Sequence, residues 1–108
     1  MKLIVAIVQD QDSHILIDEL MENDFRITKL ASTGGFLKSG NTTLLIGLED
    51  DRIPKALEII ESNCKVREMT TSLMTMNMPG DGYMPYPVTV KVGGANIFIL
   101  DIEEYVHF

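Results

Sequence analysis

The tightest constraint on this chain is its first apolar run, KLIVAIVQ at residues 2–9. A strand with one face in water alternates apolar and polar residues; an unbroken aliphatic run this short predicts a strand covered on both faces. It falls far below the roughly 18–20 residues that cross a membrane, and no small-residue cleavage site follows it. NTTLLIGL at residues 41–48 reads as a second such strand, and ANIFIL at residues 95–100 as a third. A chain of 108 residues, 45% hydrophobic and 23% charged, makes one domain. A core of that size needs no metal or disulfide but can still require neighbours.

Helices separate these strands. Asp10, Asp12 and Ser13 supply capping oxygens and N-terminal negative charge, and Ile15, Leu16, Leu20 and Met21 then predict a helix ending near Asn23. Asp50 and Asp51 are expected to cap a second helix. Pro54 stands in its first turn, where a missing donor costs little, and Ile53, Ala56, Leu57, Ile60 and Cys64 form its apolar stripe. Residues 25–31 suggest a strand that stops at Ser32-Thr33-Gly34-Gly35. Residues 65–86, rich in Met, Thr, Ser, Gly and Pro, have loop composition. VTVKV at residues 88–92 and ANIFIL, separated by Gly93-Gly94, read as a hairpin, and Phe98 is expected in the core.

The order predicts an α+β chain: a ferredoxin-like βαββαβ sandwich, with an antiparallel sheet and two helices on one face. Two helices cannot cover the other face. Strands apolar on both sides therefore call for a homo-oligomer, with three sheets around a common axis as one option and a dimer as another.

Charge and motif content narrow the function. With 16 acidic against 9 basic residues the net charge is −7, so no basic field draws in a nucleic-acid polymer. The single cysteine, Cys64, excludes an internal disulfide and a Cys-based zinc site, and it fits a reducing compartment, the cytoplasm. His14 and His107 lack the spacing of a metal site or a nucleophilic constellation, and there is no P-loop or GxGxxG. Neither catalysis nor a resident metal is expected.

One stretch can hold an anion locally. If residues 25–31 form a strand, Arg26 and Thr28 share a face and offer a guanidinium and a hydroxyl to one phosphate. Gly34-Gly35 frees backbone amides, Phe36 offers a ring for a base, and Asn41 pairs a donor with an acceptor as an adenine edge requires. The same residues also make an ordinary turn: glycines shape hairpins, Phe36 plugs a gap and Asn41 caps.

Five segments carry a family resemblance: IVQDQDS at 7–13, FRxTKLAxTGGFLxxGNTT at 25–43, NCKxRE at 63–68, YMPYPV at 83–88 and VGGANIFIL at 92–100. Together they resemble the cyclic-di-AMP receptor family of PII-like signalling proteins. The resemblance implies a cytoplasmic homotrimer with no catalytic activity and no cofactor, binding cyclic-di-AMP between subunits and signalling to a downstream protein. It also implies a short loop near 33–40 and a long one near 69–86. By this resemblance Arg26 and Thr28 contact phosphate, Gly35, Phe36 and Leu37 wall the base pocket, and Asn41 reads adenine. Gly47 admits close approach, Phe98 and Leu100 supply apolar cover, and His107 stands where a polar side chain is common. Asp24 replaces an amide found in many relatives. It can accept from an adenine amino group but not donate, and its charge opposes a phosphate. Residues 69–82 also depart from the family pattern. Two alternatives remain: a PII-like protein binding ATP or another mononucleotide, for which Arg26, Lys29 and Lys38 offer sparse charge, and a metal-responsive or structural trimer.

Overall fold

The computed structural model of the protein describes residues 1–30, 40–73 and 86–108, with the backbone alone at 70–73 and 86–88. Strand β1 (Lys2–Gln9) runs into helix α1 (Asp10–Glu22), followed by β2 (Ile27–Leu30) and β3 (Asn41–Leu48). A 3-10 turn (Asp50–Arg52) then leads into α2 (Ile53–Cys64), and β4 (Arg67–Leu73), β5 (Tyr86–Val92) and β6 (Ala95–Asp101) complete the order. The main sheet has four strands in the order β2-β3-β1-β6, every neighbouring pair antiparallel. Strands β1 and β2 flank β3, and β3 and β6 flank β1, so the α1 connection from β1 to β2 skips one strand, while α2 leads from β3 into the separate β4–β5 pair. The arrangement is compatible with a ferredoxin-like fold.

Register assigns each side chain to a face. Ile4 lies between Ile46 and Ile99, and Ala6 between Leu44 and Ile97. Ile4, Ala6, Leu44 and Ile46 are fully buried with Leu16 and Leu20 of α1 and Ile60 and Cys64 of α2, so this is the face the helices cover. The opposite face carries Leu3, Val5 and Ile7 of β1, flanked by Gly47, Leu45 and Thr43 on one side and Leu100, Phe98 and Asn96 on the other. Among the described residues no helix lies over it. Phe98, expected in the core, is instead 48% exposed, and Leu100 is 50% exposed.

Other expectations are corrected by tertiary demands. Neither helix has a side-chain cap. Asp10 accepts from the Thr42 hydroxyl and Asp12, buried, pairs with Arg67 at 2.7 Å, so both carboxylates serve contacts outside their own helix. Asp50 and Asp51 lie in the 3-10 turn ahead of α2 rather than at its cap. Ile15 and Met21 point outward, 65% and 60% exposed, because Leu16 and Leu20 already fill the contact with the sheet. Phe25, which is buried, and Arg26 both precede β2, and Ala31 lies outside the described residues.

The hairpin expected at Gly93-Gly94 does not form. Strand β5 pairs with β4, from Arg67↔Val92 to Leu73↔Tyr86, while β6 crosses to the edge of β1. Residues 67–73 and 86, read as loop, are thus strand. Pairing β5 with β6 would leave the β1 edge bare beside a buried core, whereas pairing β6 with β1 satisfies that edge. Gly93 makes the turn at φ 85°, where a Cβ would meet Lys65 O and Arg67 Nη1 at 2.6 Å. Its N–H donates to Gln9 Oε1 at 2.8 Å, and the Gly94 N–H donates to Cys64 O. These bonds and the Asp12–Arg67 pair fasten the root of the β4–β5 hairpin to the main sheet and α1.

Candidate functional site

Helix α1 ends in a way that shapes the site. Asp24 adopts φ 64°, its N–H donating to Met21 O at 3.0 Å, while the Phe25 N–H donates to Leu20 O at 3.0 Å. This is a Schellman motif, with Phe25 packing beside Leu20 in the core. Among residues with a side chain, Asp and Asn best tolerate the left-handed position, so backbone geometry accounts for a short polar residue at 24. The motif turns the chain sharply into Arg26.

Beyond that turn, Asp24, Arg26, Thr28 and Gly47 line one recess of about 490 Å³ at the end of the uncovered sheet face, together with Arg52 and Tyr105. The sequence reading paired Arg26 with Thr28, and the structure brings both together with Asp24 and Gly47. A Cβ built at Gly47 meets no atom within 4 Å, and the residue needs no unusual φ. Packing within the chain therefore does not demand glycine here. The bare backbone leaves room at the recess floor for something outside the chain.

Other expected residues lie apart. Leu100 shares a row with Leu3 and Gly47, and Phe98 shares a row with Val5, Leu45 and Thr28, so both extend the same face sideways from the recess. Asn41 lies at the far end of β3, paired with Gln9 in register. It lies six positions before Gly47, about 20 Å along an extended strand. It lines a different hollow, with His14 and Lys29. Within one chain, Asn41 and Arg26 therefore do not converge. His107 is exposed near the C-terminus, and the recess has no part of it in its wall. Gly35, Phe36 and Leu37 lie outside the described residues.

Sequence reasoning missed Arg52 and Tyr105. Tyr105 follows β6 on a segment with no regular structure, and nothing in its spacing signals the recess. Arg52 closes the 3-10 turn ahead of α2. Its Nη2 donates to Asn23 O at 2.6 Å, its Nη1 to Asp24 O at 3.2 Å, and its Cζ lies 4.0 Å from the Phe25 ring centroid. The recess thus presents two guanidinium groups, Arg26 and Arg52, against the carboxylates of Asp24 and Glu49, in a chain of net charge −7. With Arg52 engaged on two carbonyls and a ring, Arg26 with the Thr28 hydroxyl is the pair suited to a phosphate-bearing ligand. Cys64 is buried far from the recess, and burial raises its thiol pKa to about 11. Among the described residues no helix is long and apolar enough to cross a membrane.

Taken together, these features define a small α+β protein with an antiparallel sheet, two helices and a recess lined by two arginines and two carboxylates. The cyclic-di-AMP receptor family model matches residues 1–108, and the chain belongs to that family, a family of receptors. It is also similar to a solved structure described as a functionally unknown protein from Pediococcus pentosaceus ATCC 25745. That likeness has a TM-score of 0.79 at 42% identity, covering 99% of this chain and 96% of the other.

Proposed function

We propose that this protein is a non-enzymatic cytoplasmic receptor that binds cyclic-di-AMP in clefts between the subunits of a homotrimer. The observation that carries the reading is the recess at Gly47. Its floor is kept free of side chain for no reason internal to the chain, and Arg26 and Thr28 stand on its wall at the edge of a sheet face made of Leu3, Leu45, Phe98 and Leu100. Burying that apolar face against two further copies removes it from water. Assembly also supplies what one chain lacks, because residues about 20 Å apart on one subunit can reach a common ligand only if a neighbour completes the cleft.

In this reading Arg26 and Thr28 hold one phosphate and Gly47 lets the ligand approach the backbone. Asp24 accepts at the rim, and Phe98 and Leu100 give apolar cover. Gly35, Phe36, Leu37 and Asn41 wall and read the bases, and His107 offers a polar group from the C-terminal segment. A charge-assisted hydrogen bond contributes about 1.5–3 kcal/mol and a stacked base about 1–3. Two phosphates and two bases thus suffice for affinity near micromolar after the ordering cost.

Calorimetric titration with cyclic-di-AMP, cyclic-di-GMP, ATP and AMP tests the assignment. Saturable binding of cyclic-di-AMP in preference to the others is expected, and stronger binding of ATP would overturn it. Ligand binding then changes loop conformation and so the surface a downstream protein reads, which requires unequal affinity for the two loop arrangements. Hydrogen exchange at residues 33–40 and 69–86 with and without ligand checks this step. Unchanged protection in both would remove the switch and leave binding standing.

A further inference from the structure

We infer that Arg52 is a positioning residue for the ligand site, setting Arg26 by clamping the three residues that precede it. The inference rests on the reading of the recess as the cyclic-di-AMP site. It starts from a mismatch at the end of α1. The last turn of that helix has no basic residue, yet Glu19, Glu22 and Asp24 crowd its carbonyl end, where a helix dipole favours a cation. Arg52 supplies the cation from the 3-10 turn ahead of α2. Its planar fork spans Asn23 O and Asp24 O at 2.6 and 3.2 Å and stacks on Phe25 at 4.0 Å.

Those contacts hold residues 23, 24 and 25, the part of the chain that turns through the left-handed position into Arg26. Without the fork two carbonyls lose their donors and the turn loosens. Arg26 then samples more directions across the recess, and each phosphate contact must first order it. The role requires a guanidinium in particular. A lysine keeps the charge but cannot span two carbonyls and lie flat on a ring at once. Arg52 acts through Arg26 in this scheme, although both line the same recess.

The test is calorimetric titration of cyclic-di-AMP into the full chain, its Arg52→Ala, Arg52→Lys and Arg26→Ala variants, and the Arg26→Ala/Arg52→Ala double variant, with melting temperatures measured alongside. Both Arg52 variants are expected to bind about tenfold more weakly. The Arg52→Lys variant is expected to melt within about 3 °C of the parent, which separates positioning from loss of fold. In the Arg26→Ala background, Arg52→Ala is expected to cost less than about twofold, because its effect runs through the missing guanidinium. Parent-like affinity in Arg52→Lys would show that charge alone suffices and overturn the inference, as would full additivity in the double variant. A parent protein with no affinity for cyclic-di-AMP would overturn the functional reading first, an outcome distinct from any result among the variants.

Discussion

The two faces of the main sheet are built from similar residues and have opposite fates. On one, Ile4, Ala6, Leu44 and Ile46 are sealed beneath the helices. On the other, Leu3, Val5, Leu45, Phe98 and Leu100 line up in the same strands, and Phe98 and Leu100 remain about half exposed. The helix-covered face accounts for the fold. Among the described residues the second face is the less buried of the two, and it is there that the recess lies.

Substitutions on the two faces should therefore separate stability from binding. The largest effect belongs to the covered face: Leu20→Ala, at a fully buried position, is expected to cost about 2–5 kcal/mol of stability in chemical denaturation. Arg26→Ala on the recess wall should leave assembly intact and weaken cyclic-di-AMP binding at least about tenfold, roughly 1.4 kcal/mol, by calorimetry. Unchanged affinity would remove Arg26 from the site. Gly47→Val sharpens the contrast. With no atom within 4 Å of the added Cβ, it should change the stability of the fold by less than about 0.5 kcal/mol while blocking the ligand. A large loss of stability would show that the recess serves the fold after all.

The smallest effect concerns Cys64, on the covered side. Its thiol is raised from 9.0 to about 11 by burial first and by Asp12 second, with Arg67 opposing. The folded state thus favours the protonated form. The stability this contributes is complete below pH 9 and is lost as pH rises from there toward 11. At pH 7 to 8 the folded protein should resist alkylation that proceeds readily once it is denatured.

The covered face was legible in the sequence because its signals are local. The runs at 2–9 and 41–48 match β1 and β3 residue for residue, and the stripe of α2 includes the buried Ala56, Ile60 and Cys64. Strand β4 was not legible: REMTTSL is polar, and its partner β5 runs into a glycine pair that imitates a hairpin turn to β6. The missing helix caps have a similar cause, since Asp10 and Asp12 serve partners distant in sequence. Of the site, Arg26 with Thr28 could be read from strand alternation and Gly47 from resemblance. Asn23-Asp24 before Phe25, closing an amphipathic helix, was a readable Schellman signal. Arg52 left no local trace, because its partners lie 28 and 29 residues away.

The most direct test of the account is sedimentation of the protein with cyclic-di-AMP, following protein and nucleotide absorbance together. The account predicts a particle three times the 12.1 kDa chain mass that carries one nucleotide per subunit. Nucleotide sedimenting with a single 12.1 kDa chain, or remaining free above a trimer, would contradict it.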